Sequence, residues 1–521
     1  MSSPLKTCWA NPWVRRPLLV ALALALVFGA CWIIIDRLGR DAWKSFEKQL
    51  AAEGETVDFR ALLSPPVPEA ENFCAIPPLR NLALPDEDQS AAGQEGKANR
   101  ARIEAMRLSS DLAAVRSLHG IQRGTPLDFA KLAEAMRKEG SWPLPPAPGE
   151  PMRDVQAGLA KYDPFCAELA AGLARPRAQW TPCSSERKLQ RPYVMSSLHQ
   201  IGPGFTLAKI LTLRAAVAGT AGDLPKAIES LRIAKRLAIA SFDEPLLIEG
   251  LVGSAIESLS VNALWEICRS QQGTAEDWLE LEKLTTAYEA RGAFLRTFRG
   301  EMAASVDTVL YAKETRQRQI LLVLQPGMHG LTPDLGASER AVLVGLNVAP
   351  PGFFDSVASE FGRTQLRSIV RPLRDESWAE ALRSGRALEA KLNAPSHTWN
   401  LPSMFGRDSL GTFARTLTNS VYFQVLLDQA AIACVLERTR LSAGSYPASL
   451  DGLTLADGRL LPPDACTGQP MHYRQTTDGR YVLWSVGSDG RDDNASRGAS
   501  SVQPMAADYV GDWVWGYSAT P

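Results

Sequence analysis

Histidine is scarce in this chain: five occur in 521 residues, at His119, His199, His329, His397 and His472. No H-E-x-x-H or G-x-S-x-G motif and no Walker loop is present, which excludes the common metalloprotease, α/β-hydrolase and nucleotide-binding signatures. Net charge is nearly absent too. The 56 Lys and Arg against 57 Asp and Glu leave a formal charge of -1, which gives no support for a nucleic-acid partner, since that would want a basic surface. No two of the eight cysteines form a C-x-x-C pair, so a zinc site of the usual spacing is not expected. Two readings remain for Cys74, Cys166, Cys183, Cys268, Cys434 and Cys466. They can pair in an oxidising compartment, Cys166 with Cys183 and Cys434 with Cys466 being nearest in sequence, or they can be buried free thiols. Carboxylates at helical spacing, such as Glu276 and Glu280, mark a solvated helix face.

What the sequence does carry is one long uncharged apolar run. Pro17 to Ile35 reads PLLVALALALVFGACWIII, enough to cross a hydrocarbon core of roughly 30 Å. It lacks the polar stripe of a surface helix. Lys6, Arg15 and Arg16 precede it, and Arg37, Arg40, Lys44 and Lys48 follow. Positive charges therefore balance across the run and do not orient it. A short basic tail before a first apolar segment favours a signal anchor, with the N-terminus in the cytoplasm and the body outside. Phe28-Gly29-Ala30-Cys31 also fits a loose lipoprotein box, although Trp32 to Ile35 continue the apolar run past it.

At 521 residues the chain is longer than one core usually serves. The expected fold is mainly α. It comprises an N-terminal transmembrane helix, a multi-helix body and a small C-terminal α+β module with a long helix and a β-hairpin. Residues 1-52 hold the tail, the span (17-35) and its helical continuation. Residues 53-110 read as an extended connector, broken by Ser64-Pro65-Pro66-Val67-Pro68 and polar from Leu84 to Lys97, with a helix from Ala98 to Ser109. Residues 111-330 read as a helical body. Within it, Gly222 to Leu237 is similar to the second helix of a tetratricopeptide repeat, an ordinary antiparallel helix pair being the alternative. Residues 331-407 read as loop and further helices, with Gln325 to Pro351 as a Gly/Pro-rich loop. Residues 408-521 form the C-terminal module.

That module has the most specific order. A long helix candidate (Asp408 to Leu441) leads to Gly444-Ser445-Tyr446-Pro447, then Leu461-Pro462-Pro463-Asp464 and Thr467-Gly468-Gln469-Pro470. Two alternating runs follow, Met471 to Arg474 and Tyr481 to Val486, joined by a turn at Asp478-Gly479 and closed by Gly487-Ser488-Asp489-Gly490. The order over Ala431 to Trp513 resembles the periplasmic half of type II secretion major pseudopilins. In that family the last loop holds calcium, so the resemblance implies a calcium loop with Asp489, Asp492, Asp493 and Asp508 as oxygen ligands. Here Arg491-Asp492-Asp493-Asn494 replaces the family's glycine-rich run. A solvated acidic turn is the other reading.

The Gly54-Glu55 and Pro65-Pro66 connector, Glu71-Asn72-Phe73, Glu244-Pro245-Leu246-Leu247-Ile248 and the Tyr446-Pro447 tail give a wider resemblance. The layout looks like a group of uncharacterised anchored proteins of planctomycete- and verrucomicrobium-type bacteria. It implies an architecture but no activity; the short tail and the pseudopilin-like order lead to the expectation of a single-pass bacterial inner-membrane protein with its bulk in the periplasm. A non-enzymatic scaffold or interaction protein is the first expectation. It would meet the bilayer through residues 17-35 and a protein partner through its body. A membrane-anchored hydrolase with a site in the helical body is the second, and an accessory role in a secretion or pilus-like system the third. A pocket of converging His, Asp or Glu would mark the hydrolase.

Overall fold

A computed structural model of the chain describes residues 12–109, 112, 121, 124–287, 289–324, 337–394, 407–498 and 510–517. Helix α1 (Pro12–Glu53) is continuous over 42 residues, about 63 Å at 1.5 Å per residue. Its two halves follow different rules. The first is bare: Leu18, Leu24, Leu26 and Ile33 are each more than half exposed. From Asp36 onward Asp36, Gly39, Phe46 and Leu50 are buried and Trp43 is half-buried. That spacing of alternate threes and fours is a helix-pairing seam. It begins one residue after the uncharged run ends.

The connector is not extended throughout. It folds into short 3₁₀ turns at Phe59–Leu62, Glu69–Glu71 and Phe73–Ala75, with Phe59, Phe73, Cys74, Leu79 and Leu82 in the interior. The expected helix from Ala98 starts earlier, as α2 (Ala91–Glu104), where the Ser90 hydroxyl accepts from the Gly93 amide. Gly93 and Gly96 lie in that helix because backbone and side chains of Asp88 and Asn81 press against them.

The body begins with α3 (Phe129–Glu139), α4 (Pro151–Leu159) and α5 (Asp163–Ala170). Its centre is a mutually packed trio: α6 (Ile201–Thr220), α7 (Leu224–Asp243) and α8 (Leu247–Ser270). The turn between α6 and α7 needs a left-handed residue, which Gly222 supplies at φ +88°. Asp223 then caps α7 by accepting from the Lys226 amide. Ala227 and Ala234 are wholly buried on the inner face of α7. Helices α9 (Ala275–Thr285) and α10 (Ala290–Thr315) follow. The segment expected as a Gly/Pro loop contains a helix, α11 (Ala337–Val348), before α12 (Pro351–Gln365), a π-turn at Leu366–Val370, α13 (Arg371–Asp375) and α14 (Trp378–Asn393).

The long C-terminal helix is α15 (Arg407–Ala443), packed on α8, α9 and α14. The expected hairpin is present as β1 (His472–Gln475) and β2 (Tyr481–Ser485), antiparallel with Tyr473 opposite Leu483. A third strand, β3 (Trp513–Trp515), extends the sheet antiparallel to β2. One contiguous cluster of buried side chains runs from Phe46 of α1 through the body to Trp515 of β3.

One expectation needs correction, and of the two readings of the cysteines the structure shows the free thiols. By length and composition, helices over Ile201–Thr220, Leu247–Ser270 and Ser409–Ala443 also suffice to cross a membrane, so Pro17 to Ile35 is not unique in that respect. Packing separates them: their most apolar windows are 78%, 56% and 89% buried, against 0% in the first helix. The cysteines of the body, Cys74, Cys166, Cys183, Cys268, Cys434 and Cys466, are all buried and free, and no disulfide occurs among the described residues.

Candidate functional site

The acidic loop after β2 is tightly self-bonded. Asp489 accepts from the Arg491 amide at 3.0 Å. Asp492 accepts from the Trp484 indole at 3.0 Å and the Asn494 amide at 2.9 Å, and lies 3.7 Å from His472 Nδ1. His472 itself stacks on Trp484. Asn494 and Ala495 are left-handed, at φ 58° and 66°, which turns the loop back toward Asp512. The two carboxylate oxygens of Asp512 then accept from the Asp493 amide at 3.2 Å and the Ala495 amide at 2.7 Å. Burial lifts the Asp512 carboxyl to about 6, opposed by those amides and reinforced by Asp492 and Asp493.

Asp508 lies outside the described residues. Among the described residues no three His, Cys, Asp or Glu side chains gather as a metal site. Calcium wants six to eight oxygens, whereas both Asp512 oxygens already face N–H donors. The loop is closed here by a carboxylate on amides.

A second cluster is buried in the body. Glu244 ends α7 in extended backbone, as a residue before proline must. Glu249 stands in the first turn of α8. Both are almost wholly buried, at 3% and 0% exposure. Arg187, from the irregular segment before α6, donates to Glu244 and to the Ser184 hydroxyl. Gln200 donates to Glu249 at 2.6 Å. Burial pushes Glu249 up to about 8, and the neighbouring Glu244 charge adds to the shift against Gln200, Arg187 and Ser241. Burial lifts Glu244 to about 7, opposed by Arg187. Two carboxyl groups that disfavour each other's charge titrate as a pair.

Such a pair can hold a proton near neutrality, but its burial denies a substrate approach. A further buried pair, Lys235 with Glu257 at 2.8 Å, lines a small apolar pocket walled by Leu231, Leu264 and Leu281. That pocket and one beside β1 and β2 have volumes of about 30 and 70 Å³. A small-molecule site is typically roughly 300–1,000 Å³.

Glu276 and Glu280 take no part in a site. Glu280 pairs with Arg232 and Lys283 on the surface. His119, His329 and His397 lie outside the described residues. Sequence reasoning missed Arg187, Gln200, Glu244 and Glu249 as a group. The one available signal was two glutamates bracketing Pro245-Leu246-Leu247-Ile248, an apolar setting for charge.

The most developed contact surface joins α1 to the body. Asp36 accepts from the Gly352 amide at 2.9 Å, and the Trp32 indole donates to the Val348 carbonyl at 3.2 Å. Arg363 donates to the Ala42 carbonyl at 2.7 Å. At the far end of α1, Arg299 grips Glu55 with two bonds, of 2.8 and 2.5 Å. Arg374 adds a third to Glu55 at 2.7 Å, and Arg371 pairs with Glu53 at 2.5 Å. Two-bond Arg–carboxylate pairing fixes orientation as well as distance. α1 is thus locked at both ends of its packed half. No family model, curated protein or solved structure matches the chain.

Proposed function

We propose that this protein is a single-pass, membrane-anchored cell-envelope protein whose helical body serves as a non-enzymatic scaffold or docking surface. The observation that carries this reading is the division of α1. An uncharged half with bare leucines and isoleucines continues, without a break, into a half sealed against α12 and clamped by Arg299, Arg371 and Arg374. Leaving about twenty apolar residues in water is unfavourable at roughly 25 cal/mol per Å², and a bilayer removes that cost. The burial of the other three apolar helices favours a single crossing. The seal over Glu244 and Glu249 favours a scaffold over a hydrolase built on that pair.

On this reading the body lies on the periplasmic side of a bacterial inner membrane. Support comes from the resemblance of Ala431 to Trp513 to a periplasmic module. The test uses the full chain in cells. A Leu460→Cys variant puts a thiol at an 82% exposed position in the C-terminal module. An impermeant maleimide should label it once the outer membrane is opened, and alkaline carbonate should leave the chain in the membrane pellet. Release by carbonate would overturn the anchor. Labelling only after lysis would overturn the periplasmic placement.

A further inference from the structure

α11 contradicts the usual pattern of a surface helix. Its sequence, ASERAVLVGLNV, is mostly apolar, yet most of its described positions are exposed. Leu346 is buried and Leu343 half-buried, one helical turn apart. Val342, Val344 and Val348 are 38%, 66% and 56% exposed. Leu346 joins the core beside Val306, Val309 and Phe354, with Leu343 packed against it, which leaves the exposed valines as a second apolar side of a kind that suits lipid.

Its position says which. The carbonyl of Val348, the last residue of α11, accepts from the indole of Trp32. Trp32 lies inside the apolar run, four residues before Asp36, hence roughly 6 Å to the bilayer side of it. Tryptophan with a bonded N–H is the side chain favoured at a membrane interface. The next turn of chain is fixed as well, because the Gly352 amide binds Asp36 at the boundary of the run. The exposed C-terminal end of α11 therefore sits beside the bare half of α1 at Trp32. Arg37, Arg40 and Lys44 on α1 are exposed just past the end of the apolar run, where lipid headgroups carry phosphate.

We propose that α11 lies in the headgroup layer of the bilayer as a second membrane contact beside the anchor. This rests on the reading of residues 17-35 as the spanning segment. An interfacial helix buries its apolar face about 5–10 Å into the headgroup and acyl boundary, which agrees with the level of Trp32. The body then has two attachments to the membrane, and cannot swivel freely about the axis of α1.

The full chain in lipid nanodiscs tests this. Environment-sensitive dye is attached at Val344→Cys, and separately at Val348→Cys, in a background carrying Cys8→Ser and Cys31→Ser. Dye on native Cys31 in a Cys8→Ser background reports the anchor, and dye at Leu460→Cys reports water. Dye at 344 and 348 should be quenched by spin-labelled lipid severalfold more than dye at 460, and by aqueous iodide less. If Cys31 is quenched by lipid while 344 and 348 behave like 460, the proposal fails and the anchor stands. If Cys31 is not quenched either, the anchor reading itself fails. Positions shielded from iodide but untouched by lipid quencher would mean that a protein covers α11, which also overturns the proposal.

Discussion

A Cβ placed on Gly39 would meet the carbonyl oxygen of Gly352 at 1.6 Å. The two glycines thus let α1 and α12 touch backbone to backbone where the bare apolar half of α1 gives way to its packed half. Small residues permit such approach wherever helices meet closely.

Gly39→Ala reverses the ordinary expectation. In an exposed helix this change stabilises by about 1 kcal/mol. Here it should destabilise by roughly 1–3 kcal/mol, the typical cost of overpacking, and Gly352→Ala should do likewise. Thermal unfolding of the detergent-solubilised chain reads the sign directly. A raised melting temperature would show that the helices are not in contact at Gly39.

Glu55 holds two arginines while almost completely buried, at 8% exposure. Glu55→Ala takes from Arg299 both of its bonds to that carboxylate, while Arg374 keeps Asp375 at 2.6 and 2.7 Å. Breaking a buried pair from one side costs about 3–5 kcal/mol. Denaturant melts should show that loss, and limited proteolysis should show earlier cutting near Gly54. Glu53→Ala, whose partner Arg371 is more exposed, should cost less.

The Glu244–Glu249 pair gives the body a pH dependence. Folding raises both carboxyls, to about 7 and about 8, from an unfolded value of about 4.3. The folded state therefore holds protons that the unfolded state releases. The pair's contribution is fully present below about pH 4.3, declines as pH rises, and is gone above about pH 8. Melting temperature should fall between about pH 5 and about pH 8.5. Glu249→Gln should flatten that fall and melt above the parent at about pH 8.5. An unchanged slope would remove the pair from the pH response.

Asp512 closes the acidic loop through two backbone amides. Asp512→Ala leaves both donors without that acceptor, at a cost of about 1–3 kcal/mol. Melting curves in calcium and in chelator should superimpose for the parent chain. A chelator-dependent drop would return Asp489, Asp492 and Asp493 to the role of ligands.

Local pattern explains which parts could be read from sequence. The anchor, α15 and the β1–β2 hairpin each announce themselves within their own residues, through an uncharged run, a 3.6-residue apolar face and strict alternation. α2 is legible only from Ala98, because Gly93 and Gly96 in its first turns are poor helix formers, and the reason for them is contact with Asp88 and Asn81, which sequence does not display. α11 was hidden by the glycines and prolines around it. β3 is three residues, meaningful only beside β2. The glutamate pair depends on Arg187, 57 residues before Glu244, and no spacing rule joins them.

The sealed thiols impose a schedule on biogenesis. Cys74, Cys268, Cys434 and Cys466 are shut in the interior, where burial keeps each thiol protonated and inert. On the proposed periplasmic placement, the nascent chain enters an oxidising compartment with all of them exposed. It has to close its core before any two meet an oxidant, because a cross-link made early would tie together segments that the finished protein keeps apart. Folding speed, as well as folded stability, then decides how many copies survive, and any that lose the race carry a covalent record of it.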